Sequence, residues 1–270
     1  MTVVLFCGGR GLRLRADAPG IPKPLIRIGG QPILTHLMRW YAHHGHREFV
    51  LCLGSRGAMI ERHFLESPER VGSNTLPSGI TRVLLRTEAF GDWTVDFVPT
   101  GETTSIGQRL RAVRPHLNGE PFLANYADGL SDLDLPDFLA RFANSGALAA
   151  MVSVRPPGSF HAVSIGPEGA VDAVMPLADS GVRINGGFFG FRSEVFDWLT
   201  PTDDLATGLL PRLASARALF GYTHDSFWAC MDTARDRHRL EALEANGRTP
   251  WKPWLAALGK DPARRRPRAG

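Results

Sequence analysis

Short apolar, β-prone runs recur along the chain at Val3–Phe6, Phe49–Leu53, Thr94–Val98, Pro121–Tyr126, Ala147–Val154 and Gly186–Phe191, several of them ending at glycine or aspartate. Runs that are apolar at successive positions, rather than at alternate ones, suit strands covered on both faces. Between them lie segments with helical spacing of apolar residues, notably Ile33–His44, Ala58–Phe64, Ile106–Val113 and Leu135–Asn144. This alternation predicts βαβ units and an α/β fold with a Rossmann-like, mainly parallel sheet flanked by helices. In such sheets ligands collect at the carboxyl ends of strands. The loop at Gly8 and the residue Asp128 both occupy that position, so they are expected to face one crevice.

Turn-forming residues cluster from Ser67 to Gly79 and predict a long excursion that covers a site or packs a neighbouring subunit. From Gly190 the pattern turns helical, through Ser193–Leu199, Gly208–Ala218 and Asp236–Asn246. The reading divides the chain into a nucleotide-binding and catalytic core over 1–185, an acceptor-binding and oligomerisation part over 186–254 and a basic, flexible tail over 255–270.

Composition narrows the class. With 270 residues and 43% hydrophobic content, the chain can bury one large core. No stretch of eighteen apolar residues exists, and no basic region precedes the first strand, so a cytoplasmic protein is expected. The three cysteines, Cys7, Cys52 and Cys230, sit in apolar settings and are expected as free thiols in a reducing compartment. The net charge of +4 owes much to Arg264, Arg265, Arg266 and Arg268. No aromatic residues interleave them, so a solvated terminus is expected in preference to a nucleic-acid arm.

The first strand breaks into Gly8-Gly9-Arg10-Gly11-Leu12-Arg13-Leu14, and Pro22-Lys23-Pro24 follows. Glycines at this spacing let the backbone approach a bulky anion and turn amides toward it, and Arg13 and Lys23 add cations. A Walker A loop would need Gly-Lys-Ser/Thr, and a dinucleotide loop would need glycine where Leu14 stands, so neither applies. Prolines on both sides of Lys23 fix the backbone around it. Asp128 and Asp232 each end an apolar run, where an aspartate is by default a turn former or helix cap.

These segments, with Gly29-Gly30-Gln31-Pro32, Thr100-Gly101-Glu102-Thr103-Thr104, Tyr126-Ala127-Asp128-Gly129, Pro156-Pro157-Gly158, Ile184-Asn185-Gly186-Gly187, Met231-Asp232-Thr233 and Pro250-Trp251-Lys252, run in the order found in sugar-1-phosphate nucleotidyltransferases. The chain resembles that family, and within it the glucose-1-phosphate cytidylyltransferases. The resemblance implies a GT-A-like nucleotidyltransferase fold and a homo-oligomer. It also implies transfer of a cytidylyl group from CTP to a sugar-1-phosphate, with Mg²⁺ held by Asp128 and Asp232. It casts Arg13 and Lys23 as catalytic cations on the triphosphate. Gly8, Gly9, Gly11, Thr104, Arg109 and Asp128 become nucleotide-binding residues, with Arg109 toward the base, and Tyr126, His161, Asn185 and Gly186 become acceptor-binding residues.

The sugar-phosphate half departs from the family pattern. Val174-Met175-Pro176-Leu177 stands where Glu-Lys-Pro is usual, His161 where glycine is usual, and Thr207-Gly208 where an acidic residue is usual. Either His161, Arg155 or Arg183 takes over the acceptor phosphate, or the acceptor is another phosphorylated or phosphonylated small molecule. A catalytically retired CTP sensor is the alternative from a different class, but it would have no need of both aspartates.

Overall fold

In β1 (Thr2–Cys7) Val3, Leu5 and Cys7 enter one hydrophobic cluster while Val4 and Phe6 enter another. A strand buried on both faces must be apolar throughout, which explains the unbroken run. The computed structural model describes residues 1–9, 20–158 and 160–257. In chain order the remaining strands are β2 (Arg27–Ile28), β3 (Gln31–Pro32), β4 (Glu48–Leu53), β5 (Arg70–Thr75), β6 (Thr81–Thr87), β7 (Gly91–Pro99), β8 (Phe122–Asn125), β9 (Gly129–Ser131), β10 (Ala149–Val154), β11 (His161–Ile165), β12 (Val171–Pro176), β13 (Ile184–Phe191), β14 (Leu219–His224) and β15 (Trp228–Cys230). The helices are α1 (Ile33–His43), α2 (Gly57–Leu65), α3 (Ile106–Val113), α4 (Leu135–Ser145), α5 (Leu210–Ser215), α6 (Ala234–Ala245) and α7 (Pro253–Ala257).

Nine strands form the central sheet in the order β14-β10-β13-β8-β1-β4-β7-β6-β5. β8, β1, β4 and β7 are parallel neighbours. β13 runs antiparallel between β8 and β10, and β6 and β5 extend the other flank antiparallel. The sheet is therefore mixed, with its parallel strands at the centre. One cluster packs α1, α2, α4, α6 and α7 on one face, and the other packs α3 and α5 on the opposite face. No helix among the described residues is long and apolar enough to cross a membrane.

Three expectations change. The turn-rich stretch Ser67–Gly79, expected as a long excursion over a site or against a neighbouring subunit, contains β5, which pairs with β6 and lengthens the sheet. The helix expected over Gly208–Ala218 ends at Ser215, and Leu219–His224, for which no element was expected, forms an edge strand parallel to β10. The boundary expected at 185 falls inside β13, whose residues pair on both sides in the middle of the sheet. Ladder bonds and both cores cross it, so the residues before and after it share one folded unit. Of the tail, only residues up to Ala257 lie within the described part.

Candidate active site

β9 and β15 form a two-stranded antiparallel ribbon with Gly129 opposite Cys230. One step beyond that pair, the Met231 amide donates to the Asp128 carbonyl at 3.0 Å. Asp128 enters this ribbon and Asp232 leaves it, so residues 104 positions apart in sequence meet at one end. Local devices aim both. Ala127 takes a left-handed φ of 64°, rare outside glycine, and the Asn125 side-chain oxygen accepts its amide at 2.9 Å. Asp232 is followed by the Thr233–Asp236 capping box that starts α6, and its own amide donates to Asp236 at 3.1 Å.

Lys23 completes the cluster. It opens a single 3₁₀ turn between Pro22 and Pro24, closed by Leu25 N–H to Pro22 O at 2.8 Å and Ile26 N–H to Lys23 O at 3.1 Å. Its Nζ donates to Asp128 Oδ2 and to Asp232 Oδ1, both at 2.5 Å. Burial opposes the lysine's charge, but the two carboxylates outweigh it and hold the ammonium above its ordinary range. Burial raises the Asp128 carboxyl, and Lys23 pulls against that rise. Since both carboxylate oxygens touch one nitrogen at 2.5 Å, they lie within about 5 Å of each other. That spacing suits a shared divalent ion, and two carboxylates completed by phosphate and water oxygens are an ordinary donor set for Mg²⁺. No group of three or more potential metal ligands occurs among the described residues.

A second locus lies at the end of β1. A cavity of about 320 Å³ is bordered by Gly8, Gly9, Thr104, Arg109 and Asp204, among others. Arg109 is 2% exposed, so it turns into the protein and not to the helix surface. Its guanidinium donates to Thr100 Oγ1 at 2.5 Å, Leu53 O at 3.3 Å and Gly8 O at 3.2 Å. A Cβ on Gly8 would come within 2.0 Å of that guanidinium, so glycine is required there for close packing. Arg109 thus braces the glycine turn from beneath while bordering the cavity. Asp204 caps a π turn over Leu205–Leu209, and its place in the cavity wall comes from tertiary packing that no local pattern shows.

The expected acceptor residues are partly assembled. Asn185 Nδ2 donates to Tyr126 Oη at 3.1 Å, and Gly186 O accepts Trp228 Nε1 at 2.8 Å. Burial pushes the Tyr126 phenol up to about 12. His161 stands apart on the exposed β11–β12 hairpin, paired in register with Pro176. Arg155 Nε donates to Asp225 Oδ1 at 3.0 Å, and Arg183 Nη2 binds the same oxygen. Gly11 and Arg13 lie outside the described residues.

The chain is 35% identical over 261 residues to the glucose-1-phosphate cytidylyltransferase of Salmonella typhi, covering 94% of this chain and 100% of that protein. Identity and coverage are the same for the enzyme of that name from Salmonella typhimurium. No family model matches. Among solved structures, HddC of Yersinia pseudotuberculosis superposes with a TM-score of 0.63 at 17% identity, over 89% of this chain and 98% of that one, a likeness of fold. A relative this similar over its whole length settles kinship: the chain belongs to the glucose-1-phosphate cytidylyltransferase family.

Proposed function

We propose that this protein transfers the cytidylyl group of CTP to glucose-1-phosphate, giving CDP-glucose and pyrophosphate. The observation that carries the reading is the Lys23 ammonium bound at 2.5 Å to both Asp128 and Asp232, at the strand ends beside the glycine turn. It is supported by the names of relatives matched over 94% of this chain.

In this reaction a phosphate oxygen of the acceptor attacks the α-phosphorus, the bond to the bridging oxygen breaks, and pyrophosphate leaves with that electron pair. The nucleophile is already anionic, so no strong base is required. The demands are alignment and neutralisation of growing charge. Asp128 and Asp232 would hold Mg²⁺, which when bound neutralises triphosphate oxygens and orients them. Lys23 would turn from the carboxylates toward the α-phosphate. Gly8 and Gly9, braced by Arg109, would offer backbone amides to the phosphates, and Gly11 and Arg13, by resemblance, would add nucleotide-binding groups. Thr104 and Arg109 would border the cytosine.

On the acceptor side, the Asn185–Tyr126 pair and Gly186 would line the hexose. Arg155 follows β10, Asp225 follows β14 and Arg183 precedes the antiparallel β13, so all three stand on the sheet edge that carries Gly8 and Asp128. Two arginines share the Asp225 carboxylate, with Asp179 also close enough to act on Arg155, and the pairing of two guanidiniums at this end of the sheet supports the cluster as the replacement for the missing lysine.

Pyrophosphate release measured for four NTPs against a panel of phosphorylated and phosphonylated acceptors tests the reading. CTP with glucose-1-phosphate is expected to reach a kcat/KM of about 10⁴ M⁻¹s⁻¹ or more. A preference for another NTP or another acceptor would overturn it, and CTP binding without turnover on any acceptor would make the protein a sensor.

A further inference from the structure

The cavity beside Gly8 has one feature that neither the kinship nor the glycine turn accounts for, a carboxylate held rigidly in its wall. Asp204, at the start of the π turn Leu205–Leu209, borders the cavity together with Gly8, Gly9, Glu102 and Arg109. Its Oδ1 accepts the amides of Ala206 at 3.0 Å and Thr207 at 3.2 Å and the Thr207 hydroxyl at 3.3 Å. These bonds fix the rotamer, and Oδ2 accepts no hydrogen bond from the described residues.

The wall itself is immobilised from two sides. Ser105 Oγ, at the N-cap of α3, donates to Asp203 O at 2.6 Å, and Gln108 Nε2 reaches Pro201 O at 3.2 Å. From behind, Arg212 Nη1 donates to Asp203 Oδ1 at 3.1 Å, and Thr200 N–H donates to Asp203 Oδ2 at 2.8 Å. The carboxylate of Asp204 is therefore presented by a preorganised platform, as recognition of a small planar ligand requires.

We infer that Asp204 selects cytosine against uracil and thymine by accepting the exocyclic amino group of CTP, an inference that rests on the CTP reading above. The bases differ in the needed sense. Cytosine offers an N4 amino donor where uracil and thymine offer an O4 acceptor, and aspartate accepts from the former and repels the latter. All three share the O2 acceptor, which the Arg109 side of the cavity can meet but cannot use to tell them apart. Of the two carboxylates that border the cavity, Glu102 and Asp204, Asp204 is the one fixed by hydrogen bonds from its own turn, and discrimination is assigned to it.

The test compares kcat/KM for CTP and UTP in the parent enzyme, Asp204→Asn and Asp204→Ser, each checked for folding by thermal melt. Asn and Ser both serve well as helix caps, so the local turn survives while the negative charge is lost. The CTP:UTP ratio is expected to fall about tenfold or more in both variants, mainly through the KM for CTP, as loss of one good base contact predicts. A folded variant whose ratio stays within about twofold of the parent's overturns the inference, reduces Asp204 to a cap and leaves the CTP reading standing. A parent enzyme that does not favour CTP over UTP overturns both. The two failures are thus separable, one appearing in the variants and the other in the parent.

Discussion

Lys23, Asp128 and Asp232 form a compact charge triad whose balance is one positive against two negative, and this imbalance makes separate predictions for each member. Asp128→Asn or Asp232→Asn keeps the volume and a hydrogen-bond acceptor but removes half the anionic charge proposed to hold the metal. Turnover is expected to fall roughly a hundredfold or more with the fold intact. Near-normal pyrophosphate release from a variant with unchanged circular dichroism would remove that aspartate from the site. Lys23→Ala leaves two carboxylates facing each other without their shared cation. The melting temperature should drop, and Mg²⁺ alone should raise it further in the variant than in the parent, because the ion then replaces a lost counter-charge. Equal Mg²⁺ responses would mean that the carboxylates do not bind the ion together.

At the scale of elements, α3 carries the nucleotide pocket by one small residue. Gly107 lies in the first turn of α3, where alanine would ordinarily favour the helix by about 1 kcal/mol. A Cβ there, however, would sit 2.5 Å from the Asp203 carbonyl oxygen, a backbone atom that cannot swing aside. Gly107→Ala is therefore expected to destabilise the protein by about 1–3 kcal/mol, as overpacking does, and to raise the KM for CTP by shifting residues 203–204. Denaturant unfolding and steady-state kinetics on the same preparation check both; a variant as stable as the parent would show that the contact is slack. This element also shows how far the sequence could be read. The helix Ile106–Val113 follows from apolar spacing and the Ser105 cap, which act locally. That Arg109 turns inward beneath Gly8, and that Asp204 closes the cavity, depend on segments about a hundred residues away. The same limit explains the edge strands β14 and β5 and their neighbour β6. β6 and β14 are partly buried, β5 is largely exposed, and all three are interrupted by polar residues, so pairing decides what local pattern cannot. The aspartates were found by resemblance, since only the β9–β15 ribbon brings them together.

At the scale of the whole molecule, the C-terminal helices close against the N-terminal third. Lys252 is paired with Glu244, and a Cβ on Gly29 would strike the Glu244 side chain at 2.1 Å, so α6 and the β2–β3 turn are in tight contact. His36 of α1 is buried at this junction, with its Nε2 bonded to Ile28 O at 2.8 Å. Burial lowers its pKa from 6.5 to about 4; the nearby Lys252 and Arg39 also disfavour its charge, while the Ile28 carbonyl and Glu244 favour it. The native state therefore binds fewer protons than the unfolded chain between pH 6.5 and 4. The neutral imidazole contributes its stability above pH 6.5, and that contribution is lost as pH falls toward 4. The full shift corresponds to about 3 kcal/mol, enough to lower the melting temperature of the joined unit by several degrees. His36→Gln keeps a donor for Ile28 O but does not titrate. Its melting temperature should lie at or below the parent's at pH 7 and fall less steeply on acidification. His46, whose pKa is also lowered to about 4, is common to both proteins and cancels in the comparison. Parallel melting curves for parent and variant from pH 7 to 4 would mean that His36 is already protonated, or hydrated, where α1 meets the C-terminal helices.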